Sequence, residues 1–209
     1  MDSTAPLGGA GTSDGRIRRG ERSREAIVEA LIGLIGSGIL QPTAQQLAER
    51  AGVGIRSVFR HFTEMDKLYA AMGNRLEADA TRILESGRRE GGIRERVGAL
   101  VRQRNALFER IAPFKRSGNL QRWRSAFLQE RHLRMQRLLR ADLLRWLPEL
   151  DATGTPPDLL EAVDLAVSFE AWDRLRGDRQ LHPRVAAAAM ERTVLALVSN
   201  PAPASRGPG

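Results

Sequence analysis

The stretch TAQQLAERAGVGIRSVFRHFTEMDKL, residues 43–68, decides the fold of the first part of this chain. It opens with Thr43 and Gln46 in the Thr-x-x-Gln pattern of a capping box, in which each side chain binds the other residue's backbone N–H. Three apolar residues then fall on one face at helical spacing: Leu47, Ala48 and Ala51. Gly52 stands where a helix commonly ends in a left-handed residue. The pattern therefore predicts a short helix that ends at Gly52.

A second short helix is predicted directly after that turn. Val58 and Phe62 are four residues apart and can share an inward face. The remaining residues of this helix are then left to face outward: Ile55, Arg56, Ser57, Phe59, Arg60 and His61. Two short helices joined by a tight glycine-containing turn, the second with a polar and basic outer face, are typical of a helix-turn-helix that enters the major groove of DNA. The stretch therefore predicts a DNA-binding unit.

The same stretch resembles the TetR family of bacterial transcriptional regulators, over about residues 20–72. The matching residues are Thr43, Leu47, Ala48, Ala51-Gly52-Val53, Ser57-Val58-Phe59, His61-Phe62, Asp66 and Leu68. The resemblance implies an all-α fold, in which an N-terminal three-helix DNA-binding domain with a helix-turn-helix is followed by an α-helical ligand-binding and dimerisation bundle.

Three departures from the family pattern affect the expected DNA contacts. Gly54 stands where the family usually has a Ser or Thr that caps the recognition helix, and glycine offers no side-chain oxygen. Phe59 replaces the usual Tyr, so a hydroxyl that commonly reaches phosphate is missing. Met65 stands where a Lys often lies. The last two departures are expected to weaken contacts with the DNA backbone.

Ten residues are predicted to contact DNA: Arg18, Arg19, Thr43, Ile55, Arg56, Ser57, Phe59, Arg60, His61 and Lys67. Arg56 and Arg60 are the candidates for guanine, because a guanidinium fork matches the O6 and N7 atoms of that base. Ser57 and His61 are expected to hold phosphate, as is the start of the first helix of the pair at Thr43.

Arg18 and Arg19 belong to a short basic run, residues 16–24, ahead of a first helix predicted at about 23–36. We interpret the run as an arm that contacts phosphate or the minor groove, as in homeodomains. The alternative is a solvated helix start, where cations are slightly unfavourable. The predicted divisions of the chain are a disordered tail at 1–15, a helix-turn-helix domain at 16–68, a C-terminal helical domain at 69–199 and a second disordered tail at 200–209.

The composition of the 209 residues favours a soluble, helical protein with an acidic partner. Hydrophobic residues make up 42% and aromatic residues only 5%, while Ala, Leu and Arg dominate. The formal net charge of +8 suits a polyanion such as DNA, although it also suits an anionic membrane surface. No apolar stretch approaches the ~20 residues of a membrane helix, and no signal peptide is visible. We therefore expect no membrane partner and a cytoplasmic location.

Several classes of site are excluded by the residues that the chain lacks or scatters. There is no cysteine, which excludes a disulfide scaffold, a thiol nucleophile and a cysteine-based metal site. The three histidines, His61, His132 and His182, lack ligand spacing. The sequence contains no glycine-rich phosphate loop and no His-Glu-x-x-His. We therefore predict no enzyme, no cofactor and no metal.

The C-terminal part is predicted to be wholly helical. The predicted helices are 64–87 with Thr63 as N-cap, 93–112 ended or bent by Pro113, 119–147 with at most one break, 157–176 and 183–199. The first of these is expected to bridge the two domains. Residues 88–146 hold sixteen Arg or Lys against five Asp or Glu. This excess indicates solvated helix faces, with an acidic effector or further contact to the DNA backbone as the alternatives.

The resemblance implies an effector pocket and a dimer interface in this second domain. The candidates for the pocket are aromatic and methionine residues: Phe108, Trp123, Phe127, Met135 and Phe169. The last two helices are apolar on more than one side, so one side can face a second subunit. The candidates for that interface are Leu159, Val163, Ala166, Trp172 and Val194. For both sets the alternative is the hydrophobic core of a single chain.

Three function classes remain open on the sequence. The first is a TetR-type repressor, a homodimer that a small-molecule effector releases from a palindromic operator in double-stranded DNA. The second is a DNA-binding regulator or architectural protein without an effector. The third is a helical adaptor that has lost DNA binding, which salt-dependent binding to duplex DNA would exclude.

Overall fold

A computed structural model describes residues 11–62 and 65–199, and within these ranges the chain forms nine α-helices and no strand. The helices are α1 Gly11–Gly36, α2 Ala44–Ala51, α3 Ile55–His61, α4 Met65–Glu85, α5 Ile93–Gln121, α6 Ala126–Trp146, α7 Pro157–Ala166, α8 Phe169–Asp173 and α9 Pro183–Ser199. The predicted all-α class is confirmed. The predicted cap Thr63, and the predicted tails at 1–10 and 200–209, lie outside the described residues.

The contacts of the chain divide it into two compact units. The first unit takes the described residues up to Arg75 together with Pro113–Gln121, and the second takes Leu76–Ala112 and the chain after Gln121. Helix α4 is thus shared between the units, and so is α5. No helix of the described residues is both long and apolar enough to cross a membrane.

Helix α1 is longer than the sequence pattern predicts. It begins at Gly11 rather than near residue 23, so residues 11–15 are helical where the composition predicted a disordered tail. The segment after Gly15 is rich in Arg and Glu, which are good helix formers. Ser23 fits the helix because its hydroxyl donates to the carbonyl of Arg19, one turn earlier, at 3.0 Å.

The first unit has a small core made by the inward stripe of α1 and single residues of the next helices. This stripe of α1 is buried, and it is joined by apolar residues of α2, α3 and α4: Ile27, Leu31, Leu34, Ile35, Leu47, Val58, Phe62 and Leu68. Since these side chains lie on one face of each short helix, burying them fixes which face of α3 remains in solvent.

Helix α5 continues through Pro113, which the sequence analysis expected to end or bend it. A proline inside a helix removes one backbone hydrogen bond and costs about 3 kcal/mol. The turns after it are held by hydrogen bonds of Ser117 and Gln121 within the first unit. The predicted helix 119–147 is broken by a 3-10 turn at Arg122–Arg124, after which the Ser125 hydroxyl caps α6.

The second unit is built around buried residues of α5, α6, α8 and α9. Three aromatic rings lie at its centre: Phe108 and Phe169 are 5.6 Å apart and Phe108 and Trp172 are 5.8 Å apart, measured between ring centres. The predicted helix 157–176 is interrupted because the hydroxyl of Ser168 accepts the N–H of Ala171 at 3.1 Å and starts α8. A single periodic pattern therefore covers two helices here.

Candidate nucleic-acid interface

Helix α2 begins with the capping box that the sequence predicts. The Thr43 hydroxyl accepts the N–H of Gln46 at 3.2 Å, and the Gln46 side-chain oxygen accepts the N–H of Thr43 at 2.9 Å. Thr43 is exposed. Because its oxygen serves as an acceptor in the box, the hydroxyl proton remains able to donate to a phosphate oxygen.

The turn between α2 and α3 is closed by Gly52 in the left-handed conformation, with φ 65°. Its N–H binds the carbonyl of Glu49, and the next N–H, of Val53, binds the carbonyl of Ala48 at 3.0 Å. These two bonds satisfy carbonyl groups that the end of α2 would leave unpaired. Gly54 then starts α3 without a side-chain cap, as its missing side chain predicts.

Helix α3 has an inward side, an outward side and a flank on each edge between them. Val58 and Phe62 are 3% and 4% exposed and face the core, which leaves Arg56 and Arg60 on the opposite, solvent side. The predicted outward position of both arginines is therefore observed. Arg60 also donates to the hydroxyl of Ser57 at 3.0 Å, so the two side chains are held together before any DNA is bound.

Two large apolar side chains lie beside these arginines on the surface. Ile55 is 40% exposed and Phe59 is 57% exposed. They are one helical turn apart, so they form a continuous apolar flank of α3. We call Ile55 and Phe59 the apolar flank.

The flank of α3 opposite the apolar flank carries His61, which is half-buried and does not face outward as predicted. Its ring lies against α1: the Cε1 atom is 3.8 Å from the point that a Cβ on Gly20 would occupy. The Nε2 atom is buried without a hydrogen-bond partner among the described residues. Burial lowers the pKa of His61 below its ordinary value of 6.5, and the nearby charges of Arg60 and Arg24 lower it further. Because Nε2 is buried against the first unit, less of the ring is open to the predicted phosphate contact.

The basic run, residues 16–24, lies within α1, so it is part of a helix and not a separate arm. Arg18 and Arg19 are exposed side chains of α1, and Lys67 is an exposed side chain of the first turns of α4. One member of the run has a role that the sequence analysis missed. The guanidinium of Arg24 lies 5.7 Å from the ring centre of Phe62, where a cation and an aromatic face attract each other.

The predicted pocket residues do not converge on one cavity. Phe108 and Phe169 pack against each other in the core, and Met135 packs against the edge of that core. Trp123 is 71% exposed and stacks with Arg124, while Phe127 is 39% exposed. The set therefore divides into core residues and surface residues, because helical spacing alone does not distinguish the two.

The residues predicted for a dimer interface also lie in or beside the core of a single chain. Val163, Trp172 and Val194 are 0%, 1% and 0% exposed within a single chain, so no surface is left on them for a partner. Leu159 and Ala166 are half-buried at the edge of the same core. The large apolar side chains of α7 and α9 that are most exposed are Leu165 and Val185.

One cleft in the second unit was not foreseen. It has a volume of about 230 Å³ and a mainly apolar lining: Ile93, Leu147, Glu149, Leu150, Gly154, Thr155, Pro156, Leu159 and Val198. The lining comes from four separate segments of the chain. No local sequence pattern predicts that these residues line a cleft. Leu159 is the one among them that was predicted as a site residue, for the dimer interface.

Eight of the sixteen basic residues between 88 and 146 form ion pairs inside the second unit. Three arginines converge on Asp142, which is fully buried: Arg89, Arg104 and Arg145. Other pairs lie nearer the surface: Arg96 with Glu149, Arg110 with Asp79, Arg134 with Glu77, Arg137 with Glu130, and Arg140 with Glu161 and Asp164. These ion pairs favour a structural role for the eight arginines that form them over contact with DNA.

Comparison with known proteins supports the fold. No family model matches the sequence, and no curated protein matches it. Among solved structures, the chain is similar to a transcriptional regulator from Rhodococcus sp. Rha1, with a TM-score of 0.58, 20% identity, and coverage of 87% of this chain and 96% of that one. It is also similar to a TetR transcriptional regulator from Rhodococcus sp. RHA1, with a TM-score of 0.52, 20% identity, and coverage of 87% and 99%. With its capped α2, left-handed Gly52 and exposed α3, the chain has the fold of TetR-type transcriptional regulators.

Proposed function

We propose that the chain is a DNA-binding transcriptional regulator that contacts its operator through α2 and α3. The observation that carries the proposal is the outer side of α3. Arg56 and Arg60 lie in solvent directly opposite the buried Val58 and Phe62, on a helix that follows a tight glycine turn. A helix in this setting can enter the major groove with both guanidinium groups directed at base edges.

The net charge of the chain also supports DNA as the partner. The net charge of +8 attracts a polyanion, and the phosphate contacts would make binding weaker as salt rises. Thr43 at the start of α2 and Lys67 in α4 are exposed and suit the DNA backbone. Arg18 and Arg19 keep this role in the proposal, as side chains of a helix rather than of an arm.

We propose that the regulator acts as a homodimer on a near-palindromic operator. Leu165 of α7 and Val185 of α9 are 67% and 52% exposed, which leaves both helices with apolar surface for a second copy. A two-fold dimer presents two copies of α3, and each would meet one half-site. The half-sites would then lie about one helical turn of DNA apart.

The proposed response to a small molecule is release of the operator. The cleft of about 230 Å³ is an opening with a mainly apolar lining, which a small apolar molecule could enter. Linkage then requires that DNA weaken effector binding by the same factor as the effector weakens DNA binding. A regulator without an effector is the second candidate, and the close packing of Phe108, Phe169 and Trp172 at the centre of this unit favours it.

Selection of bound fragments from genomic DNA tests the proposed function. The full-length protein is expected to enrich a small set of fragments that share a near-palindromic site, with affinity falling as salt is raised. Enrichment of fragments without a shared site would favour an architectural protein. Failure to retain any duplex DNA at low salt would contradict the proposal.

The existence of an effector is tested with the complex of the protein and the selected operator. Small molecules that raise the thermal stability of the protein are added to the complex, and release of DNA is followed by fluorescence anisotropy. Ligands that stabilise and release support the first candidate. A broad metabolite screen that yields none supports the regulator without an effector.

A further inference from the structure

We propose that the apolar flank of α3, Ile55 and Phe59, contacts thymine methyl groups in the major groove. The operator half-site would then combine a guanine bound by Arg56 with at least one thymine beside it. This inference rests on the proposed function, since it concerns the sequence that the same helix recognises.

The exposure of these two side chains has no explanation inside the first unit. Val58 and Phe62 already complete the inward side of α3, and they are nearly fully buried. Ile55 and Phe59 remain 40% and 57% exposed, although a polar residue at either position would be better solvated. An apolar pair kept in solvent on a functional helix indicates contact with something apolar in the complex.

The position of the pair fits the floor of the major groove. On α3 the apolar flank adjoins the side that carries Arg56 and Arg60, and it lies away from His61, which packs against α1. When the two arginines approach base edges, the apolar flank is carried into the same groove. The charged rims of the groove are then left to the basic side chains.

The chemistry of the two side chains selects their partner. Neither Ile55 nor Phe59 has a hydrogen-bond donor, so neither can bind a phosphate or a base-edge acceptor. The C5 methyl of thymine is the apolar group that the base pairs present in the major groove. Burial of one methyl group corresponds to about a fourfold change in a binding constant.

The test replaces each thymine of the selected operator by deoxyuridine, one position at a time. This removes only the methyl group and keeps the base pair. The wild-type protein is expected to lose affinity by about threefold to fivefold at one or two positions in each half-site, and to be unchanged elsewhere. Anisotropy titration gives the dissociation constants.

Variants of the flank then assign the methyl contacts. Phe59→Ala or Ile55→Ala should weaken binding to the thymine operator and no longer distinguish thymine from uracil at one position. Phe59→Leu should retain the distinction, because it keeps an apolar side chain. Leu138→Ala, which alters an exposed apolar residue of the second unit, is the matched control. It should change neither the operator affinity nor the distinction between thymine and uracil. Since Ile55 and Phe59 are largely exposed, circular dichroism should show an unaltered fold.

Two results would overturn the inference and leave the proposed function standing. The first is a wild-type protein that binds the operator equally well at every uracil position. The second is a Phe59→Ala variant that loses affinity by the same factor on thymine and uracil duplexes, which would assign Phe59 to the sugar-phosphate backbone. Failure of the wild-type protein to bind any duplex would instead overturn the proposed function, and this inference with it.

Discussion

Asp142 is the carboxylate that pairs directly with a buried guanidinium in the second unit. Arg104 is fully buried, and it donates to Asp142 at 2.9 Å and to the carbonyl of Leu139 at 2.8 Å. Burial lowers the pKa of Arg104, and the charge of Asp142 opposes that effect. The Nε atom of Arg104 has no partner among the described residues. Such a group depends on its one ion pair, because water cannot replace the lost partner.

Asp142→Asn is therefore expected to lower the free energy of unfolding by about 3–5 kcal/mol, since it leaves the Arg104 charge uncompensated. Urea denaturation followed by circular dichroism measures the change. The matched control is Glu130→Gln, which removes an exposed carboxylate paired with Arg137 and should cost at most about 1 kcal/mol. Equal losses in the two variants would show that Asp142 has no special role.

The last two turns of α5 are fixed by a chain of hydrogen bonds that runs in one direction. The Ser117 hydroxyl donates to the carbonyl of Leu40 at 2.6 Å, so it can only accept from the hydroxyl of Tyr69, at 2.9 Å. The amide of Gln121 in turn donates to Tyr69. Leu40 belongs to the segment that leads into the capping box of α2, so these bonds connect α4 and α5 to the start of the helix-turn-helix.

Ser117→Ala should therefore cost about 1–3 kcal/mol of stability, because the buried Tyr69 hydroxyl loses the acceptor of its proton and the carbonyl of Leu40 loses the Ser117 donor. Operator affinity should fall as well, since the segment before Thr43 loses its attachment. Thr193→Ala is the control: it removes a hydroxyl that binds only its own helix, at the carbonyl of Ala189, and should change neither property. Thermal unfolding and anisotropy give the two values. An unchanged melting temperature for Ser117→Ala would contradict the structural assignment.

These elements also show where prediction from the sequence succeeds and where it stops. The capping box at Thr43, the left-handed Gly52 and the inward side of α3 depend on neighbours within a few residues, and all were predicted. The continuation of α5 through Pro113 depends on bonds between Ser117, Tyr69 and Leu40, which are far apart in the sequence. A local rule for proline contains no information about those partners.

For the whole molecule, the limit of prediction is the choice between core and surface. Trp172 and Val163 were assigned to a dimer interface because the last helices are apolar on several sides, yet both lie in the core of one chain. Periodicity identifies which residues share a helix face, but it does not say whether the same chain or a second copy covers that face. Trp123 was assigned to a pocket for the same reason and is exposed.

The proposed dimer is tested at the apolar residues that the fold leaves exposed. Leu165→Glu should weaken self-association by at least about tenfold, because it places a charge in an apolar contact. Sedimentation velocity over a range of concentrations measures the effect, and operator affinity should fall with it. Leu138→Glu, on α6, is the control and should sediment as the wild type does. A wild-type protein that is monomeric at micromolar concentration would contradict the dimer.

The central claim is that α3 recognises DNA through Arg56, and the most direct measurement is a pair of anisotropy titrations on the selected operator and on random duplex. Arg56→Ala should weaken operator binding by about 1–3 kcal/mol and random binding much less, because it removes a contact with a base. Arg82→Ala removes the same charge from an exposed position in α4 and should leave both affinities nearly unchanged. An equal loss for Arg56→Ala on both duplexes, or no loss on the operator, would contradict the account.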